Sequence, residues 1–311
     1  MTLTQLEYIV AVDTYRHFAT AAEHCYVTQP TLSMQIQKLE QELGVKIFDR
    51  SKQPVMATDI GEEIIIQARR ILSESSLLQQ IVSDRKGLLQ GELKLGIIPT
   101  LAPYLLPLFI PNFAKKYPSV KLKIVDLTTD VIIEHLKNGR IDAGLLVTPL
   151  SDQAIREYPL FYEEMVAYVS KNNPAYRKTY LAPGDLDPTK LWLLEEGHCF
   201  RTQIMNLCEL KRTATSDNSF EYEAGSIETL RKMVEINNGA TVLPELATID
   251  LNAKQQSLIR HFRSPSPMRE VSLVIHRDFV KRRLIEVLRE EILESLPEKI
   301  RKNKAKKVIP V

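Results

Sequence analysis

The spacing of the apolar residues changes near Gly91, and this change constrains the fold more than any other feature of the sequence. Before Gly91, apolar residues recur three and four positions apart, which predicts amphipathic helices. After it, alternating and continuous apolar runs are separated by helical segments, which predicts strands connected by helices. We therefore expect an α/β protein with a helical N-terminal part and a larger C-terminal part. A chain of 311 residues is also too long for one small hydrophobic core.

Residues 1–58 are predicted to form a winged helix-turn-helix domain. Two short helices, the second ending near Cys25, precede a turn, and Thr28 is the predicted N-cap of a third helix. Gly44 is expected to end that helix, and residues 49–58 predict a hairpin, or wing. The core stripe of the third helix consists of Leu32, Ile36, Leu39 and Leu43. Two helices joined by a short turn are the geometry in which the second helix reads the major groove of DNA.

The face of the third helix opposite this stripe carries short hydrogen-bonding side chains and one cation, which suit base edges and phosphates. These residues are Thr31, Ser33, Gln35 and Lys38. A solvated helix face has a similar composition, and the net charge of +2 does not by itself indicate a nucleic acid partner. The wing favours DNA binding, because it places Arg50 and Lys52 where they could contact phosphates beside the groove.

Residues 59–87 predict a long linker helix, followed by a hinge at 88–91. Within this helix, apolar or small residues alternate at intervals of four and three, which is the pattern of a coiled-coil seam. The seam residues are Ile64, Ala68, Ile71, Ser75, Leu78 and Val82. Burial against the core of the same chain would produce a similar stripe. Because the helix follows a small head, we expect self-pairing, so that two heads read a two-fold symmetric site.

Five short strings in the head resemble one known family. The segments 18–22, 27–33, 38–40, 43–44 and 48–50 are similar to the winged head of LysR-type transcriptional regulators, and the chain length fits that family. The resemblance implies binding to double-stranded promoter DNA, a homodimer through the linker helix, a homotetramer, and RNA polymerase as a further partner. It implies DNA contacts from Thr28, Gln29, Pro30, Thr31, Ser33, Gln35 and Lys38, with Arg50 and Lys52 from the wing.

Residues 92–298 are predicted to form a two-lobed α/β regulatory domain of the kind found in periplasmic binding proteins. The order β-α-β-α-β over residues 92–147 implies a parallel sheet with right-handed crossovers. A second set is expected as strands 164–170, 191–194, 220–223, 240–243, 257–262 and 270–276, and helices 200–210, 226–237 and 278–296. Two open sheets would leave a crevice between the lobes, at strand C-termini and helix N-termini. Residues 299–311 are basic and are expected to form a solvated, flexible tail.

Two of the three cysteines lie nine positions apart in the second lobe. Cys199 opens a predicted helix beside His198 and Arg201, where the helix N-terminus and neighbouring cations favour a thiolate. Cys208 could resolve an oxidised form of Cys199. Nine residues of helix separate the two Cα atoms by roughly 13 Å, whereas a disulfide requires less than about 7 Å. A bond between them therefore requires this helix to unwind. Cys25 is expected to be a packing residue.

This cysteine pair, together with the segments 98–100 and 103–107, resembles the peroxide-sensing members of the LysR family. The resemblance implies that Cys199 is the peroxidatic cysteine and Cys208 the resolving one. It also implies that hydrogen peroxide is bound and polarised by Thr100, Thr129, His198 and Arg269. The implied function is a redox-sensing activator of oxidative-stress genes, with no metal and no organic cofactor.

Three other functions remain open on the sequence. A LysR-type regulator could sense a small metabolite in the crevice, with both cysteines incidental. A thiol peroxidase and a periplasmic solute-binding protein are the other two, but neither explains the DNA-reading head. We expect a cytoplasmic protein, because the sequence has neither the pattern of a signal peptide nor an apolar run of about 20 residues. We also expect that it is not an enzyme, because the DNA-reading head and a helix that would have to unfold on every turnover argue against a thiol peroxidase.

Overall fold

The computed structural model describes residues 1–85, 89–208, 224–277, 279, 282–304 and 307–310. The chain divides into two compact units. The first contains residues 1–91 together with 138–140, and the second contains 92–137 and 141–311. A helix-turn-helix head and a two-lobed α/β domain were both predicted, and both are confirmed. The predicted strand 220–223 and residue 88 of the predicted hinge lie outside the described residues.

The first unit consists of four helices and a two-stranded wing. The elements are α1 (Leu3–Tyr15), α2 (Phe18–His24), α3 (Gln29–Leu43), β1 (Phe48–Asp49), β2 (Met56–Ala57) and α4 (Asp59–Arg85). Thr28 caps α3 by accepting a hydrogen bond from the Thr31 amide, and Gly44 ends it in the left-handed conformation at φ 71°. Both boundaries follow from local chemistry, since a hydroxyl satisfies a free amide and glycine has no Cβ to strain.

The first half of the predicted seam in α4 serves the core of the head. Ala68 is buried in the same cluster as Ile9 and Ile36, and Ile64 and Ile71 pack against that cluster. This half of the seam therefore follows the alternative of burial against the same chain, because the head is too small to cover its own apolar face without α4. Leu78, one heptad further on, is 67% exposed.

The first lobe of the second unit contains alternating strands and helices. They are β3 (Gly91–Ile97), α5 (Ala102–Lys116), β4 (Val120–Asp126), α6 (Thr129–Lys137) and β5 (Ala143–Thr148). Strands β3 and β5 are parallel, with Leu95 opposite Ala143, as the β-α-β pattern predicted. Strand β5 is buried along its whole length, which explains its nearly continuous apolar sequence.

The two lobes share two long antiparallel strands, β6 (Ile155–Val169) and β10 (Pro267–His276). Strand β10 also pairs with β5. Strand β6 pairs with β8 (Ala240–Pro244) and β9 (Ile259–Phe262). The expectation of two separate open sheets was therefore wrong, since among the described residues one sheet joins β4, β3, β5, β10, β6 and β9 in that order. Strand β6 begins nine residues before the predicted start at Glu164, because pairing with β10 overrides the weak local pattern of residues 155–163.

The second lobe completes this unit. The remaining elements of the unit are β7 (Tyr180–Leu181), α7 (Cys199–Leu207), α8 (Ile227–Ile236), α9 (Ala253–Gln256), α10 (Arg282–Ser295), α11 (Glu298–Arg301) and β11 (Lys307–Val308). Of these, α10 packs against α5 of the first lobe, where Lys116 forms an ion pair with Glu291 at 2.7 Å. The predicted strand 191–194 forms only two isolated bridges, Leu191 with Ala240 and Leu194 with Ala224. The core of the lobe packs Phe200 and Ile204 of α7 with strand residues such as Val166 and Val242.

The basic C-terminal segment is folded, contrary to the expectation of a solvated tail. Strand β11 pairs in parallel with β10, with Val308 opposite Met268. Ile309 is 5% exposed, and Asn303 donates a hydrogen bond to the Tyr162 carbonyl at 3.1 Å. The prediction rested on the high lysine content and overlooked the short apolar sequence Val308-Ile309, whose Ile309 belongs to the core of the second lobe. None of the helices in the described ranges is long and apolar enough to cross a membrane.

Candidate functional site

Cys199 is the first residue of α7 and its side chain is almost completely buried. Three predicted site residues come from other elements of the same unit. Thr100 follows β3, Thr129 begins α6, and Arg269 lies in β10. Arg269 donates from Nη1 to the Thr100 hydroxyl and from Nη2 to the Thr100 carbonyl, both at 3.2 Å. Thr129 and Arg269 both act electrostatically on the Cys199 thiol, so the fold brings these four residues together.

A buried ion pair fixes the Arg269 guanidinium. Its Nε donates to Glu163 Oε1 at 2.8 Å, and both side chains are fully buried. The other carboxylate oxygen accepts from the Leu246 amide at 2.9 Å, and the Phe200 ring lies 5.1 Å from the guanidinium carbon. Glu163 was not among the predicted site residues. Its signal was a carboxylate in phase with Phe161 and Met165 on the covered face of a strand.

Burial raises the pKa of the Cys199 thiol above its ordinary value. A hydrogen bond from Thr129, the positive charge of Arg269 and the backbone amides at the start of α7 oppose this effect. The expectation of a lowered pKa was therefore wrong in direction, because desolvation outweighs the helix terminus. Arg201, expected to favour the thiolate, instead donates to the Leu194 carbonyl at 2.7 Å.

The Thr129 hydroxyl is buried, and no described residue completes a hydrogen bond of good geometry with it. Most buried polar groups are paired, so one left without a partner needs an explanation. Here the hydroxyl can act on the Cys199 sulfur, since it lowers the pKa of that thiol. His198 is the N-cap residue of α7 and lies 3.5 Å from Glu195, measured from Nε2 to Oε1. The contacts of the imidazole do not connect it to Arg269 or Thr100.

Cys208 lies at the opposite end of α7, where it is the C-cap residue. Both thiols are free. Burial raises the pKa of Cys208 to about 11, so at neutral pH it is a neutral thiol. The intact helix between the cysteines places their Cα atoms roughly 13 Å apart at 1.5 Å per residue. The predicted helical separation therefore holds for the reduced protein.

Some of the predicted DNA-contacting residues are exposed, and others are partly buried and interact with side chains of the head. Thr28, Gln29, Pro30 and Lys38 are exposed. Thr31 is partly buried, and its hydroxyl lies 2.8 Å from that of Thr28. Ser33 and Gln35 are also partly buried. They accept hydrogen bonds from Arg50 at 3.0 Å and from Gln5 at 3.3 Å.

Arg50 connects the wing to the rest of the head. Its Nη2 lies 3.3 Å from the buried Glu40 carboxylate, and its guanidinium carbon lies 4.9 Å from the Phe18 ring centre. Glu40 also accepts from the Ile47 amide at 2.8 Å. Arg50 therefore has a structural role in addition to any phosphate contact. Lys52 is 60% exposed and lies 3.9 Å from Asp49.

Two exposed apolar residues, one in α3 and one in the turn before it, were not among the predicted DNA-contacting residues. Met34 is 60% exposed and Tyr26 is 97% exposed. Met34 lies opposite the core stripe of α3, and helical periodicity alone could have placed it there. Tyr26 lies in the turn before α3, with φ 55°. This conformation is rare for a large side chain, and the sequence carried no signal of it.

Comparison with known proteins shows the family to which the chain belongs. The family model described as "Bacterial regulatory helix-turn-helix protein, lysR family" matches residues 3–62, and "LysR substrate binding domain" matches residues 86–297. The chain belongs to the LysR family of bacterial transcriptional regulators.

Within this family, the chain is similar to OxyR proteins. It is 36% identical to the "Hydrogen peroxide-inducible genes activator" of Haemophilus influenzae, over 88% of this chain and 90% of that protein. It is also 36% identical to the "DNA-binding transcriptional dual regulator OxyR" of Escherichia coli, over 88% of this chain and 89% of that protein.

Two solved OxyR structures agree with this placement. A full-length variant from Pseudomonas aeruginosa superimposes with a TM-score of 0.79 at 35% identity, covering 94% of this chain and 97% of that one. A hydrogen peroxide-bound cysteine mutant from Corynebacterium glutamicum gives a TM-score of 0.61 at 28% identity, covering 94% and 92%.

Proposed function

We propose that this chain is a transcriptional activator that senses hydrogen peroxide through Cys199. The observation that carries the proposal is the burial of Cys199 beside Thr129 and the Arg269–Thr100 pair, at the start of a helix that ends at Cys208. The similarity to hydrogen peroxide-inducible genes activators supports it. Activators of this kind work on promoter DNA, so we place the protein in the cytoplasm, where thiols are kept reduced.

The first step is oxidation of Cys199. The thiolate attacks one oxygen of hydrogen peroxide, the S–O bond forms, and the O–O bond breaks. The second oxygen leaves as hydroxide and takes a proton to become water, while sulfur becomes sulfenic acid. Thr129, with its uncommitted hydroxyl, and Arg269 are positioned donors for the developing charge. Thr100 orients Arg269, and we assign His198 to the same pocket.

The second step forms the disulfide. The Cys208 sulfur attacks the sulfenic sulfur, the S–O bond breaks, and water leaves with the Cys208 proton. The two Cα atoms must approach to within about 7 Å, so α7 must unwind. A local covalent change thereby shifts the second lobe between two conformations. This change alters the packing of subunits and hence promoter activation.

DNA binding is assigned to α3 and the wing. The exposed residues Thr28, Gln29, Pro30 and Lys38 can contact bases and phosphates. The partly buried residues Thr31, Ser33 and Gln35 add contacts at the edge of the same face. Arg50 and Lys52 contact the backbone from the wing. Met34 and Tyr26 add apolar surface that suits thymine methyl groups. Self-pairing through α4, tetramer assembly and contact with RNA polymerase complete the proposal.

A free-thiol count before and after one equivalent of hydrogen peroxide tests this function. We expect the reduced protein to lose two thiols, and peptide mapping to identify the linked pair as Cys199 and Cys208. Cys199→Ser should lose none and should bind promoter DNA identically with and without peroxide. A metabolite-sensing regulator would keep its thiols under this treatment. A thiol peroxidase would consume many equivalents of peroxide when supplied with a thioredoxin-type reductant.

A further inference from the structure

The C-terminal strand β11 is connected to the helix that separates the two cysteines. Gln203, in the middle of α7, donates from Nε2 to the Ile309 carbonyl at 2.7 Å, and this hydrogen bond is buried. Gln203 itself is fully buried. A segment at the very end of the chain therefore contacts the element that has to unwind for the disulfide to form.

The side chain of Ile309 strengthens this connection. Ile309 is 5% exposed and belongs to the same buried cluster as Phe200, Ile204 and Leu207 of α7. Unwinding α7 would remove the helical partners of Ile309 from this cluster. It would also leave the Ile309 carbonyl without its donor, which is unfavourable for a buried group.

The other side of the same strand contacts the element that carries Arg269. The Ile309 amide donates to the Met268 carbonyl at 2.8 Å, and Val308 lies opposite Met268 in the sheet. Met268 directly precedes Arg269, whose guanidinium is held by Glu163 and Thr100. Upstream, Asn303 donates to Glu245 Oε2 at 3.1 Å, so the segment is anchored before it reaches α7.

We propose that residues 307–310 act as a latch that keeps α7 folded until the Cys199–Cys208 disulfide forms. The latch releases α7 when the disulfide forms, and its strength sets the rate of closure from sulfenic acid to disulfide. It does not set the rate of sulfenic acid formation, because that step needs no movement of α7. This proposal rests on the disulfide mechanism proposed above, and it assigns the C-terminus a role in the redox switch.

Hydrogen exchange of the full-length protein tests the release directly. The Ile309 amide donates to the Met268 carbonyl, so its exchange reports whether β11 stays paired with β10. We expect it to be protected in the reduced protein and to exchange faster once the Cys199–Cys208 disulfide has formed, because β11 then loses the α7 contacts of the Ile309 carbonyl and side chain. Peroxide-treated Cys208→Ser stops at the sulfenic acid and should keep the amide protected. Equal protection in the reduced and disulfide forms would overturn the latch, as would release in the Cys208→Ser sulfenic acid.

Two substitutions on the same strand test the effect on rate. Ile309→Ala removes the buried anchor, and Lys307→Ala removes an exposed side chain from the same strand. We expect Ile309→Ala to accelerate disulfide closure by on the order of tenfold, since a truncated aliphatic side chain weakens its packing site. Lys307→Ala should close at the wild-type rate, and both variants should form sulfenic acid at the wild-type rate.

The possible outcomes distinguish failure of the latch from failure of the proposed function on which it rests. If the wild-type protein forms no disulfide, the proposed function and the latch both fail. If the wild-type disulfide forms while Ile309→Ala closes no faster than Lys307→Ala, only the latch fails. The exchange measurement uses the unmodified C-terminus, so it decides the question even if Ile309→Ala does not fold.

Discussion

At the scale of single residues, the redox site depends on the balance of two opposing effects on Cys199. Burial raises the pKa of the thiol, and nearby donors lower it without reversing the shift. The resting thiol is therefore mostly protonated at neutral pH, which protects it from unspecific reactions. The same donors can stabilise the thiolate and the leaving hydroxide together.

The raised pKa predicts how oxidation depends on pH. Only the thiolate attacks peroxide, so below the pKa the rate of sulfenic acid formation should rise about tenfold per pH unit. Thr129→Val removes a hydrogen bond that lowers this pKa. The pKa should rise further, and the rate at pH 7 should fall by about tenfold.

Stopped-flow measurement of the rate of sulfenic acid formation over a range of pH checks both the pH dependence and the slower rate expected for Thr129→Val. The exposed Thr202, also on α7, provides the control Thr202→Val, which should behave as wild type. An unchanged pH profile in Thr129→Val would contradict the role given to this hydroxyl.

At the scale of elements, α4 has a different function in each half. Its first half completes the core of the head with Ile65 and Ala68. Arg69 fixes it there, because its buried guanidinium donates to Asp13 at 2.8 Å. Beyond this point Leu78 is exposed. Self-pairing can therefore use only the part of the helix that the head leaves uncovered.

This division predicts which α4 residue controls dimerisation. Leu78→Asp places a charge in the proposed seam and should weaken self-association by at least about tenfold, since desolvating an unpaired charge is costly. The head should keep its fold, because Leu78 lies outside its core. Sedimentation equilibrium measures the first effect and circular dichroism the second. The matched variant Arg70→Asp, at an exposed position outside the seam, should dimerise normally.

At the scale of the whole molecule, the residues proposed to contact DNA and those proposed for the redox chemistry lie in different compact units. Every predicted DNA-contacting residue lies between Thr28 and Lys52, and Thr100, Thr129, Cys199 and Arg269 all lie in the second unit. The two activities should therefore respond to separate substitutions.

A pair of variants tests this separation. Lys38→Ala should weaken promoter binding similarly for all sequences and reduce its salt dependence by about one unit, as expected for one lost phosphate contact. Its rate of sulfenic acid formation should be unchanged. Cys199→Ser should show the reverse pattern, with normal reduced-state binding and no response to peroxide. Fluorescence anisotropy over a salt series measures binding, and one variant affecting both activities would contradict the separation.

Sequence signals were reliable where the physics is local. The cap at Thr28, the end of α3 at Gly44 and the parallel pairing of β3 with β5 follow from short-range chemistry and periodicity. The signals failed where distant residues decide the outcome. Residues 155–163 become a strand because β10 pairs with them, and the lysine-rich C-terminus folds because β10 offers an edge beside the apolar cluster that contains Ile309.

By itself, the sequence determined the two-part organisation, the reading helix and the nine-residue spacing of the cysteines, because each depends on neighbours along the chain. Only the tertiary structure decided the pKa direction of Cys199, the buried partner of Arg269 and the anchoring of α7 by the C-terminus. Desolvation and buried ion pairs depend on groups that are distant in the sequence and adjacent only in the folded chain. Their effects therefore emerge only when all those groups are in place.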